Sequence, residues 1–316
     1  MASSTKPVQM PTHGRKGSIV FIIILGLIIF TERIAGLITD WFWFQEVGYE
    51  TVFTITLWAQ IKTAVFFGVA FFIIFYTNLF ISIRLSSGIR VVREDVINIP
   101  ALQIDGRILH RIGLIVAVVF SFFAALSGAN QWENYLRFQN VSSFGLEDPL
   151  FHKDIGFYVF KLPFLNYLYG WIMTAFFVTV AAAAFIYIIR RAFAFQPPRS
   201  WHVASEARMH LSILASLFFF AGIFGNWLAL NEILYAKTGV VFGPGYTEVT
   251  TQLWVVKGLM VISFLCAISL LGFAFRLNWR FPAFAVLLFI LLLVVGRNMY
   301  PSFVQKFRVV PNEILL

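Results

Sequence analysis

The chain has 316 residues, of which 59% are hydrophobic and 12% charged, with a net charge of +9. A soluble domain is roughly 25% charged, so this composition excludes an ordinary soluble enzyme, a disordered chain and a DNA-binding domain. It leaves a multi-span membrane protein. The lone cysteine, Cys266, excludes an intrachain disulfide framework and a cysteine zinc site. Its apolar neighbours give it the character of a buried, inert thiol.

A helix needs about 20 mostly apolar residues to cross the hydrocarbon core. Seven segments meet that requirement: Ser18–Thr39, Thr54–Ile83, Ile108–Ala129, Tyr167–Ile189, Met209–Leu230, Leu253–Phe275 and Phe281–Val295. The first has a basic start and an apolar run, but no clean small-residue cleavage site follows, so it reads as a span and not a signal peptide. The last two are separated by so few residues that they form a tight antiparallel hairpin. The expected fold is all-α: a polytopic bundle of seven transmembrane helices.

Lys and Arg orient the bundle. The tail (Lys6, Arg15, Lys16), Arg84–Arg111, Arg190–Arg208, and Arg276 with Arg280 hold 14 of the 24 basic residues. The alternate loops hold Asp40, Glu46, Glu50, Glu133, Glu147, Asp148, Asp154, Glu232 and Glu248. The N-terminus is therefore expected in the cytoplasm and the C-terminus outside. The positive charge is a topology signal, and nucleic acid is not an expected partner. Residues 1–17 read as a cytoplasmic tail, 18–299 as the membrane domain and 300–316 as the start of an extracytoplasmic region.

Three non-membrane stretches have character. Trp41-Phe-Trp-Phe44 reads as an interfacial anchor, because indole rings favour the headgroup zone. Gly88–Pro100 has the β-branched and Gly/Pro punctuation of a short extended or hairpin element on the cytoplasmic side. Arg90 and Arg93 there would lie near anionic headgroups. The outer loop at 130–166 is too charged to span and too aromatic to float free. It reads as a cap on the bundle or bilayer surface, partly extended through Phe157–Leu162; a loop of this length is usually functional or an interface.

Asp40-Trp-Phe-Trp-Phe-Gln-Glu-Val-Gly-Tyr49, the segment Asp148–Phe164, and Tyr300-Pro-Ser-Phe-Val-Gln-Lys-Phe-Arg-Val-Val-Pro-Asn-Glu313 together resemble uncharacterised protein family 0182, a group of bacterial multi-pass membrane proteins. The resemblance runs from the first helix to the last residue. It implies seven N-terminal spans in the bacterial cytoplasmic membrane and a large extracytoplasmic region beyond them. It implies no reaction, substrate or catalytic residue. This chain stops at Leu316 where such relatives continue.

Reactive chemistry is sparse. None of His13, His110, His152, His202 and His210 forms an HExxH or an i, i+4 pair, and His110 and His210 fall at cytoplasmic helix ends, which suits an interfacial role better than haem or metal ligation. Gly243-Pro-Gly245 is a turn, not a phosphate loop, because the lysine and strand–helix context are missing. No catalytic, metal-binding or cofactor-binding set stands out, and a membrane enzyme is the least favoured class.

Charge inside the spans is the sharper signal, since ionisable groups there are costly unless paired or functional. Glu32 lies 12 positions before Phe44, and Lys62 lies 11 positions after Thr51 on the antiparallel second helix. At about 1.5 Å per residue their depths match. Glu32, Arg33, Lys62, Glu133, Asn226, Glu232, Lys257 and Arg297 all fall toward the outer leaflet. They form either ion pairs that lock helix register or a polar cavity open to the outside. Ala64-x-x-x-Gly68, Gly113-x-x-x-Ala117 and Ala221-x-x-x-Gly225 are small-x-x-x-small patterns suited to close helix packing.

The leading expectation is a structural anchor or accessory subunit that assembles with an extracytoplasmic domain or a larger membrane complex, including copies of itself. The alternative is a transporter or lipid-handling protein using the outer polar residues. Membrane lipids are the expected surroundings in both cases.

Overall fold

The computed structural model describes residues 31–87, 105–196, 200–236, 243–275 and 278–312, with backbone only at 194–196 and 200–202. The chain forms two compact units that meet between Ala59 and Gln60. In the N-terminal unit, α1 covers 31–46 and α2 (Glu50–Ser86) begins after a turn at Gly48, whose φ of +74° is the left-handed region that suits glycine. The Tyr49 N–H closes the turn onto the Phe44 carbonyl at 2.9 Å. Phe53 packs against Trp41 at 5.4 Å and Phe44 at 5.6 Å between ring centroids. The Trp-Phe-Trp-Phe motif is thus helical, with Phe42 and Trp43 exposed.

The larger unit carries the rest of α2, then α3 (Gly106–Ala129), α4 (Trp132–Gln139), α5 (Leu162–Ile189), α6 (Ser205–Glu232), α7 (Leu253–Ala274), α8 (Arg280–Leu291) and the short α9 (Tyr300–Val304). A two-stranded antiparallel hairpin, β1 (Phe193–Gln196) and β2 (Ser200–Val203), lies between α5 and α6. The expected extended element at Gly88–Pro100 lies outside the described residues.

Six described helices are long and apolar enough to cross a membrane: Glu50–Ser86, Gly106–Ala129, Phe157–Ile189, Ser205–Tyr235, Glu248–Ala274 and Arg280–Asn312. They correspond to the second through seventh expected spans. The first expected span has residues 18–30 outside the described region. In none of the six is more than 33% of the most apolar window buried. Side chains such as Phe177, Phe185 and Phe284 face outward from them. That surface suits hydrocarbon and not water.

Several helices run further than hydropathy predicts. The segment expected to be extended at Phe157–Leu162 is helical. Its start has a physical cause: Asp154 acts as N-cap, its Oδ1 accepting the Gly156 N–H at 2.7 Å. The last helix, expected to end at Val295, continues to Asn312. Polar residues can extend a helix beyond the bilayer, where backbone bonding favours continuation and hydropathy is silent.

Among the described residues four stretches are π-helical: Phe157–Lys161, Glu248–Gln252, Leu292–Met299 and Gln305–Val309. Three of them are followed two residues later by a proline, at Pro163, Pro301 and Pro311. In each, the residue just before the proline donates its N–H five positions back: Leu162 to Phe157, Tyr300 to Val295 and Val310 to Gln305. A proline ring clashes with the carbonyl four residues earlier and supplies no N–H. Widening the preceding turn relieves the clash while keeping the backbone bonded.

The core is built on small residues. Phe71, Phe75, Leu79 and Ile83 recur every four residues on α2 and pack with Ala117 and Ala124 of α3 and Ala175 and Ile186 of α5. A Cβ on Gly68 would come within 2.8 Å of Ala125 Cβ, and one on Gly128 within 2.7 Å of the Phe67 ring. α6 and α7 are tied by Ser216 Oγ donating to the Ala267 carbonyl at 2.8 Å and by Asn226 Nδ2 donating to Ser263 Oγ at 3.3 Å. Gly225 accepts the Tyr169 ring of α5 so closely that an added Cβ would overlap it. Gly170 has open space around its Cα instead. Gly225→Ala should therefore destabilise the bundle by about 1–3 kcal/mol through overpacking, while Gly170→Ala stays near neutral. Thermal unfolding of the two variants in the same detergent checks this.

Candidate functional site: a locked loop and a polar cleft

The loop at 140–156 joins α4 to the span that contains α5, and two carboxylates hold its shape. Asp148 Oδ1 accepts the N–H of Leu150 at 2.9 Å and of Phe151 at 2.6 Å, and its Oδ2 accepts the Lys153 N–H at 2.8 Å and the Tyr158 hydroxyl at 2.7 Å. Asp154 accepts from the Ser143 hydroxyl and from the N–H of Phe144, Gly145 and Gly156. Burial alone would push the Asp148 carboxyl up. The N–H groups of Phe151 and Lys153, the Tyr158 hydroxyl and the N–H of Leu150 outweigh that and hold it below its ordinary 3.8. Asp154 is likewise held low, chiefly by the Ser143 hydroxyl.

Lys153 ties the loop to α6. Its Nζ donates to Asn231 Oδ1 at 2.6 Å and sits 4.4 Å from the Phe157 ring centroid and 4.5 Å from that of Trp227. Asn231 is buried and its Nδ2 donates back to the Trp227 carbonyl. Burial pushes the Lys153 ammonium below its ordinary value, and the Asp148 charge offsets part of that. The aromatic faces supply further attraction to the cation.

At the same end of the bundle a cleft of about 590 Å³ opens between the start of the α7 span and the continuation of α8. Six of its ten lining residues (Glu248, Gln252, Arg297, Asn298, Gln305 and Lys306) lie in π-helical turns. The wide turns aim these side chains where regular helices would not. Glu248 is only 3% exposed and accepts the Gly245 N–H at 2.9 Å through Oε2. Gly243, at φ +121°, makes the turn that brings Gly245 there. Thr247 Oγ1 donates to Gln305 Oε1 at 2.5 Å across the cleft. Arg308 lies over the Tyr246 ring with its guanidinium carbon 5.4 Å from the centroid.

The residues singled out from the sequence fall in both units, and those of the larger unit have different neighbours. Glu32 and Arg33 are exposed on α1 in the N-terminal unit, and Lys62 is exposed on α2 in the other unit. Glu133 pairs with Arg137 one turn along α4. Asn226 faces Ser263, and Glu232 accepts from Asn166 Nδ2 at 2.7 Å. Lys257 is exposed, with its Nζ 4.9 Å from the Trp254 ring centroid. Arg297 is the member that lines the cleft.

Sequence reasoning passed over a second polar cluster at the arginine-rich end. His210, expected at the interface, is buried. Its Nδ1 lies 3.0 Å from the Tyr187 hydroxyl and 3.5 Å from Ser82 Oγ, and its Nε2 lies 3.2 Å from Asn78 Oδ1. A neutral imidazole protonated at Nε2 satisfies both nitrogens: it donates to Asn78 and accepts from Tyr187. The signal was present in Asn78, Ser82 and Ser86, which recur every four residues on α2. His110 does stay near the surface, with its ring centroid 5.2 Å from that of Phe80. Among the described residues no group of three or more His, Cys, Asp or Glu is placed to hold a metal ion.

The sequence profile of an uncharacterised protein family (UPF0182) matches residues 17–316. A UPF0182 protein of Pelotomaculum thermopropionicum is 33% identical over 306 residues, covering 92% of this chain and 33% of that protein. One from Desulforamulus reducens is 31% identical over 316 residues, covering 94% of this chain and 34% of that protein. The chain thus spans about a third of the length of these relatives. No solved structure matches it.

The geometry of loop and cleft has two testable outcomes. Asp148→Ala leaves three N–H groups and a tyrosine hydroxyl without their acceptor and should cost about 2–5 kcal/mol, read as a lowered unfolding midpoint. Because the Asp148 carboxyl is held low, its contribution is complete above its ordinary range and is lost as the pH falls through its folded value. Deuterium exchange at the Leu150, Phe151 and Lys153 amides, corrected for the intrinsic rate at each pH, should stay slow from about pH 6 to about pH 4 and quicken below. Pro301→Ala lets regular helical bonding return upstream, turning Arg297 and Asn298 by roughly 100° relative to the residues beyond. Thiol labelling of Ser302→Cys should then change sharply, while Cys266, which is buried, stays unlabelled.

Proposed function

We propose that this chain, which belongs to the uncharacterised family UPF0182, is the multi-pass anchor of a bacterial cytoplasmic-membrane protein whose loop end faces outward and seats an extracytoplasmic region. In this reading the arginine-rich end, with Arg84, Arg107, Arg111, Arg190, Arg191, Arg208 and Arg280, faces the cytoplasm. Residues 300–316 lead away from the membrane toward that region.

The lock on the 140–156 loop carries this reading. Two carboxylates each accept four hydrogen bonds there. The loop thereby presents Val141, Phe144 and Leu146 to the outside in a fixed shape. A preorganised apolar surface loses little entropy when a partner docks. The greater length of the relatives supports a partner in the same polypeptide.

A second reading, the handling of a lipid or another small polar ligand, is favoured by the cleft around Glu248 and Arg297. Transport through a continuous pore has less support, because among the described residues the cleft lies at the loop end and the polar cluster at the other end closes on itself.

The anchor reading is tested in the Pelotomaculum relative. A photo-crosslinking residue at the position aligned with Leu146 should join the loop to the part of that protein beyond the match, identified by peptide mapping. Crosslinks confined to lipid or to the matched helices, or none at all, would sink it.

A further inference from the structure

A second cavity, of about 470 Å³, opens between α3 and α5, wholly within the larger unit. That volume is within the range of small-ligand sites. One wall is a single face of α3, from Phe120 to Ser127, and the other a single face of α5, from Tyr167 to Val178. Phe71 of α2 is buried and closes the groove from behind, its ring centroid 6.4 Å from those of Phe120 and Trp171. Phe120 and Phe123 are exposed at the rim, so the groove is continuous with the apolar surface that suits hydrocarbon. Gly170 keeps it open, since a Cβ there would meet nothing within 4 Å.

The groove has a polar mouth at a defined height. Ser127 lies 20 residues beyond Arg107 along α3. At about 1.5 Å per residue that is roughly 30 Å, the thickness of the hydrocarbon core. With Arg107 at one face of the core, Ser127 and Tyr167 lie at the other, at the level of lipid ester groups. Ser127 Oγ and Tyr167 Oη are 3.0 Å apart. One hydroxyl donates to the other, and the hydrogen of the second has no acceptor among the described residues. From Tyr167 to Val178 the groove descends 11 residues along α5. That is roughly 17 Å, about one leaflet's half of the core. Below the mouth the lining is apolar apart from Thr174, whose hydroxyl donates to the Gly170 carbonyl at 2.8 Å.

We propose that the groove holds one fatty-acyl chain of a membrane glycerophospholipid as a resident ligand, its ester carbonyl accepting the free hydrogen of the Ser127–Tyr167 pair. The site is separate from the polar cleft and stands independently of both functional readings. Water does not fill such a groove, because apolar cavities stay dry, and an empty one forfeits the dispersion contacts of its aromatic lining. A chain gains no hydrophobic energy by leaving the bilayer for the groove, so its residence depends on shape and on the hydroxyl pair. A neighbouring helix has no carbonyl to offer at the mouth, since its own are bonded internally. A polyprenyl chain matches the lining and lacks the ester.

The test uses the whole chain reconstituted in vesicles of equal parts dioleoyl phosphatidylcholine and its diether analogue, which differ only in the carbonyls. The protein is extracted into mild detergent, washed, and its retained lipid counted by native mass spectrometry. One lipid per chain should be retained, with the diester favoured about fivefold, the scale of one neutral hydrogen bond. Ser127→Ala combined with Tyr167→Phe should erase that preference while a lipid is still retained. Gly170→Leu, which fills the groove, should lower retention about tenfold. Thr174→Leu narrows the same wall and replaces it in the test where Gly170→Leu is unstable. Phe177→Leu, on the exposed face of α5 outside the groove, should change nothing. Thermal unfolding of each variant shows that it is folded. No retained lipid, or retention indifferent to filling the groove in a folded variant, overturns the proposal and leaves only exchanging annular lipid. Retention lost in Gly170→Leu but without preference for the diester keeps the chain site and overturns the role of the hydroxyl pair. A lipid-free dimer that Gly170→Leu converts to monomer overturns the proposal in favour of a second copy of the chain.

Discussion

Inside a bilayer every backbone N–H and C=O has to be bonded within the protein, because no water is there to take its place. A proline near a helical span breaks that rule twice, once by its missing N–H and once by its clash with the carbonyl four residues back. This chain meets the problem at Pro163, Pro301 and Pro311 with one device, a π turn that closes immediately before the proline. The device has consequences beyond bonding. Each widened turn inserts a residue and rotates the helix before it against the helix after it. In the last helix this happens twice within 18 residues, between Leu292 and Val309. Facing them is a fourth wide turn, Glu248–Gln252, which no proline explains. The cleft lies where these turns meet.

The neighbouring loop solves the opposite problem. It has no regular secondary structure of its own between α4 and the start of the next span, so its N–H groups need acceptors from side chains. Asp148 and Asp154 supply them. A carboxylate that accepts several N–H groups is stabilised as an anion even when buried. Lys153 then sits between that anion and the faces of Phe157 and Trp227, with Asn231 as its acceptor. Removing either charge strands the other in a poorly hydrated position. The loop is therefore held by mutual dependence and not by apolar packing alone, although Leu150 and Phe151 do pack on the cluster of Leu230, Ile233, Leu253 and Val256.

Much of the fold was legible because a membrane imposes a length on apolar runs. The second through seventh expected spans each coincide with a described helix. What hydropathy missed were the polar continuations, since it registers apolar content and not backbone bonding. Phe157–Leu162 looked extended because aromatic and β-branched residues favour strands, yet Asp154 caps a helix there and Pro163 falls in its first turn. Both signals were local and readable. The small-x-x-x-small patterns did mark close contacts, as the surroundings of Gly68 and Gly225 show. The candidate site was less legible. Depth along a span can be counted from sequence, but the direction around the helix cannot once π turns shift the phase. Asn226, Glu232 and Lys257 match in depth and yet have separate neighbours. His210 shows the reverse error. Its place near a helix end suggested exposure, but burial was set by Asn78, Ser82 and Tyr187 on two other helices.

The two ends of the bundle use polar groups differently, and that difference bears on function. At the arginine-rich end the buried cluster closes on itself: each imidazole nitrogen of His210 has a partner, and the cluster knits α2, α5 and α6. Such a satisfied network fixes register and leaves nothing directed at a ligand. At the loop end Glu248 is also anchored, through Gly245, but it stands in the wall of an open cleft across from Arg297 and Lys306. Those cations are exposed on long side chains, whereas the carboxylate is fixed by a turn that Gly243 makes possible. The difference is one of closure: the imidazole network is complete within the bundle, whereas the cleft at the loop end is lined by charges of both signs.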